Sequence, residues 1–121
     1  GGHTVSHVDL RHLDAGAVQH ELTSSHKALE KLLDRPATTF AYPSGFHNDG
    51  LQRAVRHAGF ECAVSTDKGI NGEGFNVHAL YRIGMPDTGV ADFKRALSRA
   101  PLAGEALFSG SDAPVLTSLV R

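Results

Sequence analysis

A chain of 121 residues is long enough for one domain with a moderate core. With 40% hydrophobic and 21% charged residues it has the make-up of an ordinary globular protein, and 12 Lys and Arg against 13 Asp and Glu leave no broad field for nucleic acid or an anionic membrane. The single cysteine, Cys62, excludes an intrachain disulfide and a Cys2His2 zinc finger.

The opening run Gly1-Gly2-His3-Thr4-Val5-Ser6-His7 reads as a strand end entering a loop, because Thr4 and Val5 are β-branched and two glycines allow close backbone approach. His3 and His7 can face one point only if the chain bends between them, and Ser6 is the expected place. Neutral imidazole is the commonest protein metal ligand, and two histidines with one carboxylate leave a coordination position open for water. That makes His3 and His7 the candidate metal ligands.

After a short irregular link over residues 8–13, Asp14 is placed to cap a helix. Val18, Leu22, Ser25, Leu29, Leu32 and Leu33 form its apolar stripe over about five turns. Gln19, Glu21, His26, Lys27, Glu30 and Lys31 form the face expected in solvent, and His12 and His20 join that exterior.

Pro36 stops the helix, and residues 38–42 have the residue types of a buried strand, closed by Pro43-Ser44-Gly45. Asn48 or Asp49 can cap a second helix whose apolar side is Leu51, Ala54, Val55 and Ala58, with Gly59 suited to the left-handed position beyond its end. Residues 60–65 make the next strand, in which the Cys62 thiol is expected to be buried and inert. Strand, helix, strand in this order implies a parallel pair with a right-handed crossover.

Residues 66–76 read as a loop. Gly69, Gly72 and Gly74 lack the spacing and the strand-to-helix setting of a dinucleotide fingerprint. Residues 79–84 suggest a further strand, and a helix starting at Pro86-Asp87-Thr88 would set Val90, Phe93, Ala96 and Leu97 on one face. Residues 101–121 form an irregular extension in which Val115 to Val120 could make a terminal strand.

No stretch reaches the 18 or so apolar residues of a membrane span, and no signal peptide is read. Because the chain opens at Gly1, inside what reads as a structural element, a fragment of a longer domain is expected.

Three stretches together resemble the polysaccharide deacetylase family, also called the NodB-homology domain or carbohydrate esterase family 4. They are His3-Thr4-Val5-Ser6-His7 with Asp9-Leu10, Phe40-Ala41-Tyr42-Pro43-Ser44-Gly45, and the helix-Gly-Phe-strand segment from Ala54 to Ser65. The likeness spans about residues 1–100. It implies an α/β fold, a partial distorted (β/α) barrel with parallel strands alternating with helices and the N-terminal strands missing, whose active residues sit at C-terminal strand ends. Such a chain would be one partial domain, 1–121.

By resemblance, His3 and His7 match the ligands of a divalent metal, expected to be zinc, and Tyr42, Pro43 and Ser44 match a turn bordering the substrate groove. The Ser44 backbone N–H takes the place of the oxyanion donor. The implied activity is hydrolytic removal of acetyl groups from an N-acetylated glycan, in a cell-envelope or extracellular setting. The same scaffold also serves O-acetyl esterases and cyclic-amide hydrolases, or a non-catalytic carbohydrate- or metal-binding module.

The chain departs from the family pattern in three places. It has no Asp-Asp pair to supply the base and the metal carboxylate, and Ala41 stands where many members have arginine. The late Leu-x-His motif is not evident, so His47 and His78 are the candidates for the general acid, each against a plain loop or surface role.

Overall fold

The computed structural model describes residues 1–85 and 87–98. The expected extension over 101–121 and its strand lie outside the described residues. Helix α1 (Ala15–Leu33) begins where Asp14 accepts a hydrogen bond from the Ala17 N–H at 2.8 Å. Strand β1 (Thr39–Ala41) follows, then α2 (Asp49–His57), β2 (Cys62–Lys68), β3 (Leu80–Arg82) and α3 (Val90–Ser98).

The sheet has the order β1-β2-β3 and is parallel throughout, with Phe40 opposite Ala63 and Val64 opposite Leu80. On the free edge of β1 the chain start lies parallel to it: Gly2 donates to the Thr39 carbonyl at 2.7 Å and accepts from the Ala41 N–H at 2.8 Å. The glycine is required here. A Cβ at Gly2 would stand 2.5 Å from the Phe60 ring and 3.0 Å from Phe40. His3 therefore leaves the sheet at the same end as Ala41 and Pro43, the C-terminal ends of two neighbouring parallel segments.

The core gathers Leu10, Val18, Leu22, Phe40, Tyr42, Leu51, Val55 and Phe60 between the helices and the sheet. Phe40 packs edge-on to Tyr42 at 5.3 Å and against Phe60 at 5.0 Å between ring centroids. Each such pair adds about 0.5–1.5 kcal/mol to the burial of its area.

Asn48 caps α2 through the Leu51 N–H at 2.9 Å, and Gly59 beyond its end takes φ +103°. Asn48→Ala should cost about 1 kcal/mol in a thermal melt; Asp49→Ala, one residue inside the helix, should cost less.

The structure corrects several expectations. The stripe of α1 outruns the core, leaving Leu32 79% exposed and Leu33 partly so. His26 is not a surface residue: its ring stands edge-on to Phe60 at 4.7 Å. Strand β2 continues to Lys68 because Thr66 to Lys68 stay beside β3, where Lys68 is opposite Arg82, so the loop begins later than its composition suggests. Cys62 is half-buried rather than buried. Helix α3 forms but begins at Val90, later than the expected start, with Asp87 and Thr88 outside it, and none of its described side chains is buried.

Candidate functional site

The loop after Gly2 turns back on itself through two left-handed residues, Thr4 at φ +64° and His7 at φ +55°. Backbone of this kind costs on the order of 1–3 kcal/mol per residue outside glycine. The bend brings the imidazoles of His3 and His7 together, with centroids 4.8 Å apart and planes at 63°. The chain bends at Val5 and at Ser6, the expected place, and the left-handed residues Thr4 and His7 flank that bend.

Local hydrogen bonds hold the bend. The Thr4 hydroxyl donates to the His3 carbonyl at 2.6 Å and accepts from the His7 N–H at 3.0 Å. From α1, Glu21 reaches the loop tip. It accepts from the Val5 N–H at 2.7 Å, the Ser6 N–H at 3.0 Å and the Ser6 hydroxyl. Hydrogen bonds to a charged group contribute about 1.5–3 kcal/mol each, so three of them, even discounted for solvent exposure, offset the cost of the two strained residues.

The Ser6 hydroxyl, with smaller help from the Ser6 and Val5 amides, holds the Glu21 carboxyl below its ordinary value. A lowered folded value means the clamp stabilises above the unfolded carboxylate range and is lost as pH falls through the folded value. The Val5 and Ser6 amide resonances should therefore shift together on acidification, with a midpoint below the ordinary glutamate value of about 4.3.

His3 is tied to the sheet as well. Its Nδ1 lies 2.7 Å from the Ala41 carbonyl oxygen, which can only accept, so Nδ1 carries the proton and the Nε2 lone pair is left free. Ala41 immediately precedes Tyr42-Pro43, which joins the histidine loop to the turn after β1.

In that turn Ser44 takes φ +54° and Gly45 φ +77°. The Ser44 carbonyl accepts from the Thr66 hydroxyl at 3.1 Å. Its N–H points to no hydrogen-bond acceptor among the described residues, and the side chain is exposed. The neighbours expected to border substrate are placed differently. Tyr42 is 1% exposed and donates its hydroxyl to the His78 carbonyl at 2.9 Å, and burial pushes that phenol well above its usual range. Pro43 is buried too. Ser44 is thus what this turn offers to a ligand, while the Tyr42 side chain belongs to the core.

The two candidate acids separate. His78 lies in the connection before β3, as a loop histidine was expected to, but it is buried rather than on the surface, with Nε2–H donated to the Phe60 carbonyl at 3.1 Å, and it ties the approach to β3 to the stretch ahead of β2. His47 stays beside the turn, stacked on the Tyr42 ring at 5.0 Å, with Nδ1–H donated to the Gly45 carbonyl at 3.0 Å.

Among the described residues no third His, Cys, Asp or Glu groups with His3 and His7. Asp9, next along, is committed to Arg11, whose guanidinium grips both its oxygens and holds the carboxyl down to about 2. A groove of about 550 Å³ between α1 and α2, lined by Leu10, Arg11, Val18, Leu51 and His57 among others, contains none of the candidate residues.

Sequence reasoning missed Glu21 and Thr4. A glutamate on a helix face carries no signal that it reaches a loop some fifteen residues away, whereas a Thr three residues before His7 is a recognisable hydroxyl turn.

Known proteins share this fold. The chain is 27% identical over 81 residues to YxkH of Bacillus subtilis (strain 168), a protein assigned by name to the polysaccharide deacetylases, covering 67% of this chain and 29% of YxkH. The structure of the Streptococcus pyogenes deacetylase PplD in complex with acetate superposes with TM-score 0.63 at 30% identity, over 66% of this chain and 35% of PplD. BC0361, a polysaccharide deacetylase from Bacillus cereus, shares the fold with TM-score 0.67 at 24% identity, over 78% of this chain and 30% of that one. The chain thus spans about a third of the length of these proteins. No described helix is long and apolar enough to cross a membrane. The sequence model of the family called polysaccharide deacetylase matches residues 1–63, which contain the histidine loop, β1 and its turn and run into β2, and the chain belongs to that family.

Proposed function

We propose that His3, His7 and the Ser44 turn form part of a metal-dependent site that hydrolyses acetyl groups from an N-acetylated polysaccharide. The observation that carries this reading is the imidazole pair held at 4.8 Å beside the turn after β1. Two imidazoles this close, beside the C-terminal end of β1, are of the residue type that would hold a divalent ion. The tautomer of His3 suits it too, since Nδ1–H on Ala41 leaves Nε2 as the donor. Such an ion, expected to be zinc, supplies Lewis-acid polarisation of the acetyl carbonyl and a water of lowered pKa.

The chain's own residues then have distinct tasks. His3 and His7 would hold the ion, and the N–H of Ser44 would donate to the oxygen on which negative charge develops. A backbone donor needs no particular side chain, so serine at this position keeps it. His47, beside the turn, is the remaining candidate for protonating the leaving amine. The structurally similar deacetylase PplD was solved in complex with acetate, the product such a reaction releases, and this supports the acetyl group as the target.

The absence of a grouped carboxylate among the described residues favours a second reading, a module that binds metal or glycan without turning it over. Acetate release from N-acetylglucosamine oligomers by the full-length protein with zinc supplied separates the two. Release that depends on His3 and His7 supports the hydrolase; binding without acetate supports the module.

A further inference from the structure

We infer that Glu21 is a positioning residue for the His3 and His7 pair, acting through the backbone of Val5 and Ser6; this rests on the metal-site reading above. The loop that carries His7 is exposed, with Val5 60% accessible, so packing does not dictate its shape. Thr4 and His7 both adopt backbone that L residues avoid, and without an external hold the segment between them would relax. The Thr4 hydroxyl is part of the loop and moves with it. Glu21 is not: it stands in α1, a helix packed on the core through Val18, Leu22 and Ser25.

Its two oxygens accept from three donors on adjacent residues, Val5 N–H, Ser6 N–H and Ser6 Oγ. The carboxylate thereby fixes the loop tip relative to the helix. His7 follows the clamped pair directly, while His3 is fixed separately by Ala41. The separation of the two imidazoles therefore depends on Glu21 although it touches neither ring. Partners that orient ligands in this way typically change metal affinity 10–100-fold when removed.

The test is a titration of the metal-stripped full-length protein with cobalt(II), read from its ligand-field absorption. Wild type should give one site that His3→Ala and His7→Ala abolish; if it gives none, the metal-site reading fails before Glu21 is at issue. Given that site, Glu21→Ala should weaken cobalt(II) binding about 10–100-fold and alter the band shape. Glu21→Gln, which keeps an acceptor for the amides, should recover part of the affinity. Glu30→Gln, the same charge change on the same helix beside His26, should leave the isotherm unchanged. Should Glu21→Ala fail to fold, Ser6→Ala removes one of the three bonds and should cost a few-fold. A lowered melting temperature with a wild-type isotherm and spectrum in Glu21→Ala, or in Ser6→Ala where only that variant folds, would overturn the inference.

Discussion

Replacing His7 with glycine is expected to lower metal affinity and acetate release on the order of 100-fold or more while leaving the fold as stable as before. Loss of an outer partner of a metal ligand costs about 10–100-fold, and loss of the ligand itself costs more, since a cation left with His3 alone has a single donor among the described residues. Stability should hardly change. His7 occupies φ +55°, a conformation that penalises a side chain by about 1–2 kcal/mol and glycine hardly at all. The entropy glycine loses on folding is about 0.5–1 kcal/mol, so the two effects nearly cancel. The measurements are zinc calorimetry, acetate release and a thermal melt of the metal-free protein. His3→Ala should lose affinity comparably, but it also frees the Ala41 carbonyl, whose partner at 2.7 Å disappears. Turnover unchanged in both variants would reject the hydrolase reading.

Local signals in the sequence carried most of the architecture. Asp14 and Asn48 cap the helices they precede, because a short acceptor side chain before an apolar periodic run acts on backbone two or three residues away. The alternation of strand and helix gave the parallel order for the same reason: each element announces itself over a short stretch of chain. What could not be read depends on contacts distant along the chain. Glu21 has the periodicity of a solvent face and is drawn off it by a loop folded back from residues 5 and 6. Tyr42 follows β1 directly, one residue past a strand expected to include it, and only the position of His78, 36 residues on, decides that its hydroxyl is used inside the core. The histidine pair was legible as a motif, whereas the left-handed residues that create it were not: a β-branched Thr is an outlier there, and a His, although it enters that region more readily than most side chains, does so too rarely to announce it.

Gly45→Ala is expected to be the most damaging single-methyl change among the described glycines of the turns, at about 2–4 kcal/mol. Two effects combine there. The φ of +77° costs an alanine about 1 kcal/mol or more, and its Cβ would overlap Thr66 Oγ1 and fall 2.5 Å from the Thr66 backbone nitrogen. The hydroxyl could rotate away; the nitrogen is fixed in β2 and cannot. Two other glycines divide these contributions. Gly74 has φ +74° with open space around its Cβ, so Gly74→Ala should cost the conformational part alone, about 1 kcal/mol. Gly72 has neither a positive φ nor a neighbour within 4 Å, and Gly72→Ala should fall within about 0.5 kcal/mol of wild type. Thr66→Ala added to Gly45→Ala should not rescue it, because the backbone nitrogen and the Thr66 Cβ, 2.7 Å away, both remain. Relief of the clash would push the turn off β2 and carry Ser44, whose carbonyl is held by Thr66, away from the histidines. Acetate release should accordingly fall further in Gly45→Ala than the fraction unfolded explains, whereas Gly74→Ala and Gly72→Ala should lose activity only in step with stability. Thermal melts of these variants beside their acetate rates test this, and equal losses for Gly45→Ala and Gly74→Ala would show that the turn yields to the added methyl without strain.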